Sequence, residues 1–201
     1  MSEDSGAPVR HRDRHVWLVR FTDRVLVVCP RCGGRAHVVP RPDLAPPRWS
    51  SELLVLPRRM ACTGCGAVRE WTAEPRGEGL AGAAIGGTED PFFRLPLWLQ
   101  ARCAGRVLWA YNGAHVEELS GYVGARLRER GSLSPTLAMI PRLPAWMKRA
   151  GNRSAVLAAL NVLRTLADAE HSTAAHRSDA AHPRHDRPRY PGSLFFRGGA
   201  Y

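Results

Sequence analysis

The chain has little lysine and no long apolar run. Lys148 is the only lysine, so arginine supplies the rest of the 29 strongly basic residues. No stretch reaches the roughly 20 apolar residues of a transmembrane helix, which predicts a protein with no membrane partner. The start of the chain, residues 1–6, is polar and lacks the apolar core of a signal peptide. We therefore expect a soluble protein of the cytoplasm.

Four of the five cysteines form two Cys-x-x-Cys-Gly turns, which pair Cys29 with Cys32 and Cys62 with Cys65. The two turns are separated by 29 residues. This arrangement suits a tetrahedral metal held by four thiolates. The glycine after each pair permits the positive φ that most side chains resist. The sequence predicts a closed structural zinc site at these four cysteines.

Two alternatives to zinc follow from the same cysteines. Disulfides are typical of secreted proteins, and the expected compartment argues against them. A tetrahedral four-sulfur site holds zinc or iron, and the gap between the pairs resembles that of rubredoxins. Rubredoxins are acidic and carry Cys-Pro-x-Cys-Gly as the second turn, whereas here it comes first in a basic segment. Iron is therefore the less favoured metal.

Composition divides the chain into five segments. They are a disordered tail at 1–14, a β zinc ribbon at 15–74, a glycine- and alanine-rich linker at 75–89, an α/β unit at 90–169 and a disordered tail rich in His, Arg and Pro at 170–201. In the ribbon, β-prone runs at 25–28, 36–39 and 53–56 flank the cysteine turns. In the second unit, strand-like runs at 97–100 and 107–111 predict a β-hairpin.

Two or three helices are predicted after the hairpin. Asn112 can cap the first, whose apolar face comprises Val116, Leu119, Val123 and Leu127. A helical turn is expected at 144–148, and a longer helix ends near Ala169. The predicted fold class is therefore α+β, with an amino-terminal ribbon, a hairpin, two or three helices and disordered termini.

The net charge of +11 favours an acidic partner such as nucleic acid. A GC-rich genome is an alternative source of part of this charge, because alanine, glycine and proline are also abundant. The candidate anion or nucleic-acid contacts fall in two groups: Arg31, Arg35, Arg58 and Arg59 near the cysteines, and Arg142, Lys148, Arg149 and Arg153 near the start of the last helix. The first group would equally offset the net negative charge of four thiolates around zinc. Cations at a helix amino terminus oppose the helix dipole, so the second group is the stronger candidate.

Other conspicuous residues have structural interpretations. Cys103 has no second cysteine nearby and is expected to be a small buried hydrophobe. Trp98, Trp109 and Trp146 stand among apolar residues and are expected in the core rather than stacked on bases. The histidines between 171 and 185 belong to the predicted tail, where solvation is favoured over metal capture.

Three aromatic segments accompany the cysteine turns, at 90–100, 108–112 and 143–148. Together with the turns they resemble a group of uncharacterised bacterial proteins, frequent in actinobacteria. These carry a zinc ribbon of the transcription-factor-IIB type followed by a small α/β tail. The resemblance covers residues 25–166. It implies zinc and a bacterial cytoplasm, and no settled activity.

Three functions follow from these features. A nucleic-acid-associated or regulatory zinc-ribbon protein is favoured, because the ribbon segment is basic. The alternative is a protein-interaction module of a bacterial assembly that does not bind nucleic acid, and a rubredoxin-like iron electron carrier is more remote. An enzyme is not expected, because the sequence has no nucleophile–base set and no glycine-rich phosphate loop.

Overall fold

The computed structural model describes residues 10–129 and 138–169 and the backbone of Phe195–Arg197. The strands in these residues are β1 (Arg10–Arg12), β2 (Val25–Val28), β3 (Arg35–Pro40), β4 (Arg58–Ala61), β5 (Val68–Trp71), β6 (Pro75–Arg76), β7 (Gly79–Ala81), β8 (Leu99–Cys103), β9 (Arg106–Ala110), β10 (Leu127–Glu129) and β11 (Phe195–Arg197). The helices are α1 (Gly113–Gly124), α2 (Met139–Arg142), α3 (Ala145–Lys148) and α4 (Arg153–Asp168), with 3-10 helices at Leu18–Thr22, Ser50–Leu54 and Ala150–Asn152.

Strands β2 to β5 form an antiparallel sheet in which each strand pairs with the next one along the chain. Val25 pairs with Val38, and both side chains are fully buried, as are Val27 and Met60. Side chains two positions apart share one face of a strand, so these residues present one apolar face to the core. In such a meander the β2–β3 and β4–β5 turns lie at the same end of the sheet. Both cysteine turns are therefore at one edge.

A hairpin and two longer helices make up the second half of the fold. Strands β8 and β9 pair antiparallel through a turn at Ala104 and Gly105, whose φ angles are 49° and 71°. Two successive positive φ values suit a tight hairpin. Helices α1 and α4 pack on each other, and α4 packs on β8 through its fully buried Val156, Leu160 and Leu163. The predicted hairpin and the predicted longer helix that ends near Ala169 are confirmed.

One apolar core joins the two halves of the chain. The cluster runs from Val27 in the four-stranded sheet to Leu160 in α4. Leu97 forms a bridge with Val27, and the N–H of Trp98 donates to the carbonyl of Leu26 at 2.9 Å. The edge of β2 is therefore covered by the segment that leads into β8. Residues from both 15–74 and 90–169 contribute to this core.

The strand predicted at 53–56 is wrong. Ser50–Leu54 is a 3-10 helix, and β4 begins only at Arg58, after a proline. Leu53 and Leu54 both pack against Val19 in a small separate cluster. Adjacent residues of a strand point to opposite faces, so a helical turn is needed to bury both leucines on one side.

The first long helix is shorter than its apolar spacing indicates. Helix α1 ends at Gly124, Ala125 is extended with φ −68° and ψ 134°, and Leu127 begins β10. Strand β10 pairs in parallel with β1, and this long-range pairing replaces the expected last helical turn. The prediction that 1–14 is a disordered tail is therefore wrong for β1, while residues 1–9 lie outside the described residues.

The remaining differences concern the predicted linker and the carboxyl-terminal tail. Strands β6 and β7 pair antiparallel within 75–89, and β11 pairs with β7 from within 170–201. Apart from β11, residues 170–201 lie outside the described part, including the four tail histidines. The described part contains four helices, because α2 is a helix as well as the predicted turn α3. None of the described helices is both long and apolar enough to cross a bilayer.

Candidate metal centre

The two cysteine turns have the same backbone geometry. The N–H of Gly33 donates to the carbonyl of Cys29, and that of Gly66 donates to the carbonyl of Cys62, each at 2.9 Å. The φ angles of the two glycines are 72° and 69°, in the left-handed region that glycine adopts without strain. The repeated Cys-x-x-Cys-Gly sequence therefore produces two equivalent turns at the same edge of the sheet.

The four sulfur atoms lie close together. Cys29 Sγ is 3.7 Å from Cys65 Sγ, Cys32 Sγ is 3.6 Å from Cys62 Sγ, and all four sulfurs are within 4.8 Å of one another. Tetrahedral zinc with Zn–S bonds of about 2.3 Å separates its sulfurs by about 3.8 Å. A disulfide needs about 2.05 Å, and the cysteines are free thiols. The arrangement fits a metal ion held by four sulfurs.

Burial differs within each pair of this quartet. Cys29 and Cys62, the first cysteine of each turn, are 1% and 3% exposed and belong to the main apolar core. Cys32 and Cys65 are half-buried, and the N–H of Gly34 donates to Cys32 Sγ at 3.4 Å. The quartet therefore has an inner side against the core and an outer side near the surface.

The thiols of the quartet differ in acidity. Burial opposes ionisation of Cys29, but the N–H groups of Cys32 and Arg31 outweigh it and lower the pKa of Cys29 to about 7. Burial raises the pKa of Cys62. At Cys65 the N–H of Ala67 lowers the pKa, but burial and the neighbouring thiols outweigh it and raise that pKa to about 12. One thiolate thus forms readily, and a cation among the sulfurs would replace the protons of the others.

Arg58 does not lie on the surface, and its prediction as an anion contact is wrong. Its side chain is fully buried, with a guanidinium group that donates to the carbonyl of Thr22 at 2.7 Å and to that of Leu53. The guanidinium carbon also lies 4.2 Å from the centre of the Phe92 ring. Burial lowers the pKa of Arg58 to about 10, so it remains charged at neutral pH.

The other three basic residues of the first group lie nearer the surface. Arg31 is exposed within the first cysteine turn. The guanidinium of Arg35 donates to the carbonyl of Ala167 at 3.2 Å, which joins the cysteine-bearing sheet to the last turn of α4. The side chain of Arg59 is 41% exposed and forms an ion pair with Glu70 at 2.7 Å. The structure therefore does not gather this group into one patch of uncommitted cations.

Two of the four residues in the second basic group have a structural role. The guanidinium of Arg153 donates to the carbonyl of Gly124, the last residue of α1, and Lys148 Nζ donates to the carbonyl of Pro141 in α2 at 2.9 Å. Cations stabilise the carboxyl ends of helices, so these two residues complement α1 and α2 although they lie near the start of α4. Arg142 and Arg149 are exposed.

Cys103 and the described histidines stand apart from the quartet. Cys103 is 5% exposed in β8, and burial raises its pKa. His37 is half-buried on β3. His115 is 2% exposed and stacks on Phe21 at 4.7 Å between ring centres. The group of potential metal ligands in the described residues consists of the four predicted cysteines alone.

The sequence did not predict a large apolar cavity in the second half of the fold. Its volume is about 820 Å³, and its wall comes from residues 17–19, Ser50–Leu54, residues 85–87, β9, α1 and the α2–α3 segment. Trp109 and Trp146 line it and are half-buried, whereas Trp98 is buried. A wall assembled from six separated segments leaves no local sequence motif. None of the four cysteines lines this cavity.

Comparison with known proteins gives no relatives. No family model matches the chain, and neither a curated protein nor a solved structure does. The resemblance to actinobacterial zinc-ribbon proteins therefore stays a prediction.

Proposed function

We propose that the four cysteines hold one structural zinc ion in a zinc-ribbon module, and that the protein is a binding protein rather than an enzyme. The observation that carries this proposal is the spacing of the sulfurs, at 3.6 Å and 3.7 Å across the two turns. These distances agree with about 3.8 Å for zinc–thiolate tetrahedra. Four free thiols also suit the reducing cytoplasm.

A structural role follows from the position of the quartet. Cys29 and Cys62 are part of the core that joins the sheet to the helices. Zinc binding to such a site is coupled to folding, because the unfolded chain does not hold the ligands together. Four thiolates complete a tetrahedron, whereas catalytic zinc keeps one position for water or substrate. The ion would therefore stabilise the fold without carrying out chemistry.

Nucleic acid is the first candidate partner, because the net charge is +11. Arg31 supports it from the metal centre: it is exposed, and its guanidinium has no hydrogen bond or ion pair within the described residues.

Polarisation assays with labelled duplex DNA and single-stranded RNA should show affinity that falls steeply between 50 and 200 mM salt, on the order of a hundredfold or more. Arg31→Ala should weaken it, and Cys103→Ser, at a buried position away from the quartet, should not. Absence of binding at low salt would remove this candidate.

A protein partner is the second candidate, and it is supported by exposed apolar side chains. Trp49 is 65% exposed and Val68 is 58% exposed. Exposed tryptophan is enriched where proteins meet. Capture of a defined partner that survives nuclease and high salt, and that Trp49→Ala abolishes, would favour this function over nucleic-acid binding.

The metal assignment itself has a direct test. Protein purified from cells grown in ordinary medium should contain one zinc per chain. Cys29→Ser and Cys62→Ser should lose the zinc and the cooperative unfolding transition, whereas Cys103→Ser should keep both. Stoichiometric iron with a red colour would replace the proposal with the iron electron carrier.

A further inference from the structure

The 820 Å³ cavity has an apolar wall and cationic residues, and none of the described residues that line it is acidic. Its apolar lining includes Val19, Leu54, Leu108, Trp109, Leu119 and Trp146. Three arginines also line it, Arg106, Arg142 and Arg149. Ligand pockets for small molecules are typically about 300–1,000 Å³ and mostly apolar, with a few polar groups that orient the ligand. The cavity has this size and this composition.

The three arginines are placed at the mouth of the cavity. Each is exposed to solvent although it lines the cavity. Within the described residues, none of the three guanidinium groups forms a hydrogen bond or an ion pair. This contrasts with Arg58 and Arg153, whose guanidinium groups donate to backbone carbonyls. Uncommitted guanidinium groups at an apolar opening favour a carboxylate or phosphate, which they bind through paired hydrogen bonds.

His115 adds a polar group to the apolar wall. Its Nδ1 accepts the N–H of Tyr111 at 3.2 Å, so in the neutral ring the proton is on Nε2. His115 lines the cavity, so its ring places a polar group in a mostly apolar wall, as is typical of ligand pockets.

We propose that this cavity binds a small apolar molecule with one anionic group, such as a carboxylate or a phosphate monoester. The apolar part occupies the wall formed by β9, α1 and the α2–α3 segment. The anionic group lies at the mouth, against Arg106, Arg142 and Arg149. This site is separate from the cysteine quartet, so it does not depend on the identity of the metal or on nucleic-acid binding.

Titration calorimetry with simple amphiphiles below their micelle concentration tests the proposal. The probes are dodecanoate, dodecyl phosphate, dodecanol and dodecylammonium, each titrated into the full chain. We expect one-to-one binding of at least one of the two anions, with dodecanol about tenfold weaker and dodecylammonium weaker still, because a charge-assisted pair is lost. Comparison of the two anions identifies the headgroup.

Variants separate the headgroup contact from the apolar contact. Arg142→Ala and Arg149→Ala should each weaken anion binding about tenfold and leave dodecanol binding unchanged. Arg59→Ala removes an equal charge from the sheet and should change neither anion binding nor dodecanol binding. Ala145→Trp adds bulk at an exposed position of the wall and should weaken all probes. Circular dichroism confirms that each variant is folded.

Three results would overturn the proposal. The first is no binding of either anion to the folded wild-type chain. The second is equal binding of dodecanol and dodecanoate. The third is anion binding that Arg59→Ala weakens as much as Arg142→Ala does, because it would show a general charge effect.

Discussion

The guanidinium of Arg58 lies over the ring of Phe92, with its carbon atom 4.2 Å from the ring centre. The same group donates to the carbonyls of Thr22 and Leu53. One buried cation therefore connects β4, which carries the second cysteine turn, to two helical segments and to the aromatic segment before β8. We regard this contact as a structural counterpart of the cysteine quartet, since both join the sheet to the rest of the core.

Replacement of Arg58 should destabilise the fold strongly. Arg58→Ala leaves two buried carbonyls without a donor, at about 1–3 kcal/mol each, and opens space beside Phe92. We expect the free energy of unfolding to fall by at least about 3 kcal/mol in urea titrations. Arg59→Ala is the matched control, because its exposed ion pair with Glu70 should contribute no more than about 1 kcal/mol. Equal losses in the two variants would contradict the role given to Arg58.

The glycine of the second cysteine turn should be required for its backbone angle. A Cβ on Gly66 would meet no atom within 4 Å, but the φ of 69° is unfavourable for other residues. Gly66→Ala should therefore cost about 1–2 kcal/mol and lower metal affinity. Gly64→Ala is the control, since its Cβ would make only an ordinary contact with Cys62 Sγ at 3.9 Å. The measurement is metal affinity by competition titration. Equal affinities of Gly66→Ala and Gly64→Ala would show that the turn tolerates a side chain at Gly66.

Stability should depend on pH through His115. Burial lowers the pKa of His115 to about 3, from an ordinary value of 6.5. Between these two values the unfolded chain binds a proton that the folded protein does not, so stability falls as the pH falls below about 6.5. The expected contribution approaches about 1.4 kcal/mol per pH unit.

The measurement is the free energy of unfolding between pH 7.5 and pH 5.5. His115→Asn cannot take up this proton and should show a smaller loss across the range. The four cysteines are common to both proteins, so acid-induced metal release affects both. If the wild type and His115→Asn lose the same free energy of unfolding over this pH range, the pKa of His115 does not differ between the folded and unfolded chains.

Local sequence signals account for the cysteine turns and for the β8–β9 hairpin. Each depends on residues that are close in the chain, such as the glycine after a Cys-x-x-Cys pair or the turn at Ala104 and Gly105. The sulfur quartet follows from two such turns placed at one end of an antiparallel meander. These features could be predicted because local backbone preference and the final fold agree.

The predictions that the structure contradicts share one cause, which is contacts between residues far apart in the chain. Arg58 is a charged residue whose burial depends on carbonyls 36 and 5 positions away, and its sequence neighbours do not reveal them. The end of α1 and the pairing of β1 with β10 likewise depend on segments more than a hundred residues apart. The sequence around Arg153 shows only the start of its own helix and so favours an anion contact. The partner of Arg153 is the end of another helix.

Metal analysis of the purified chain by mass spectrometry tests the central proposal most directly, together with thermal unfolding before and after chelation. We expect one zinc per chain, loss of the cooperative transition when the zinc is removed, and its recovery when zinc is added back. Cys103→Ser should behave as the wild type does, and Cys62→Ser should resemble the chelated protein. A chain that unfolds cooperatively at the same temperature without metal, or that holds iron in place of zinc, would contradict the proposed structural zinc site.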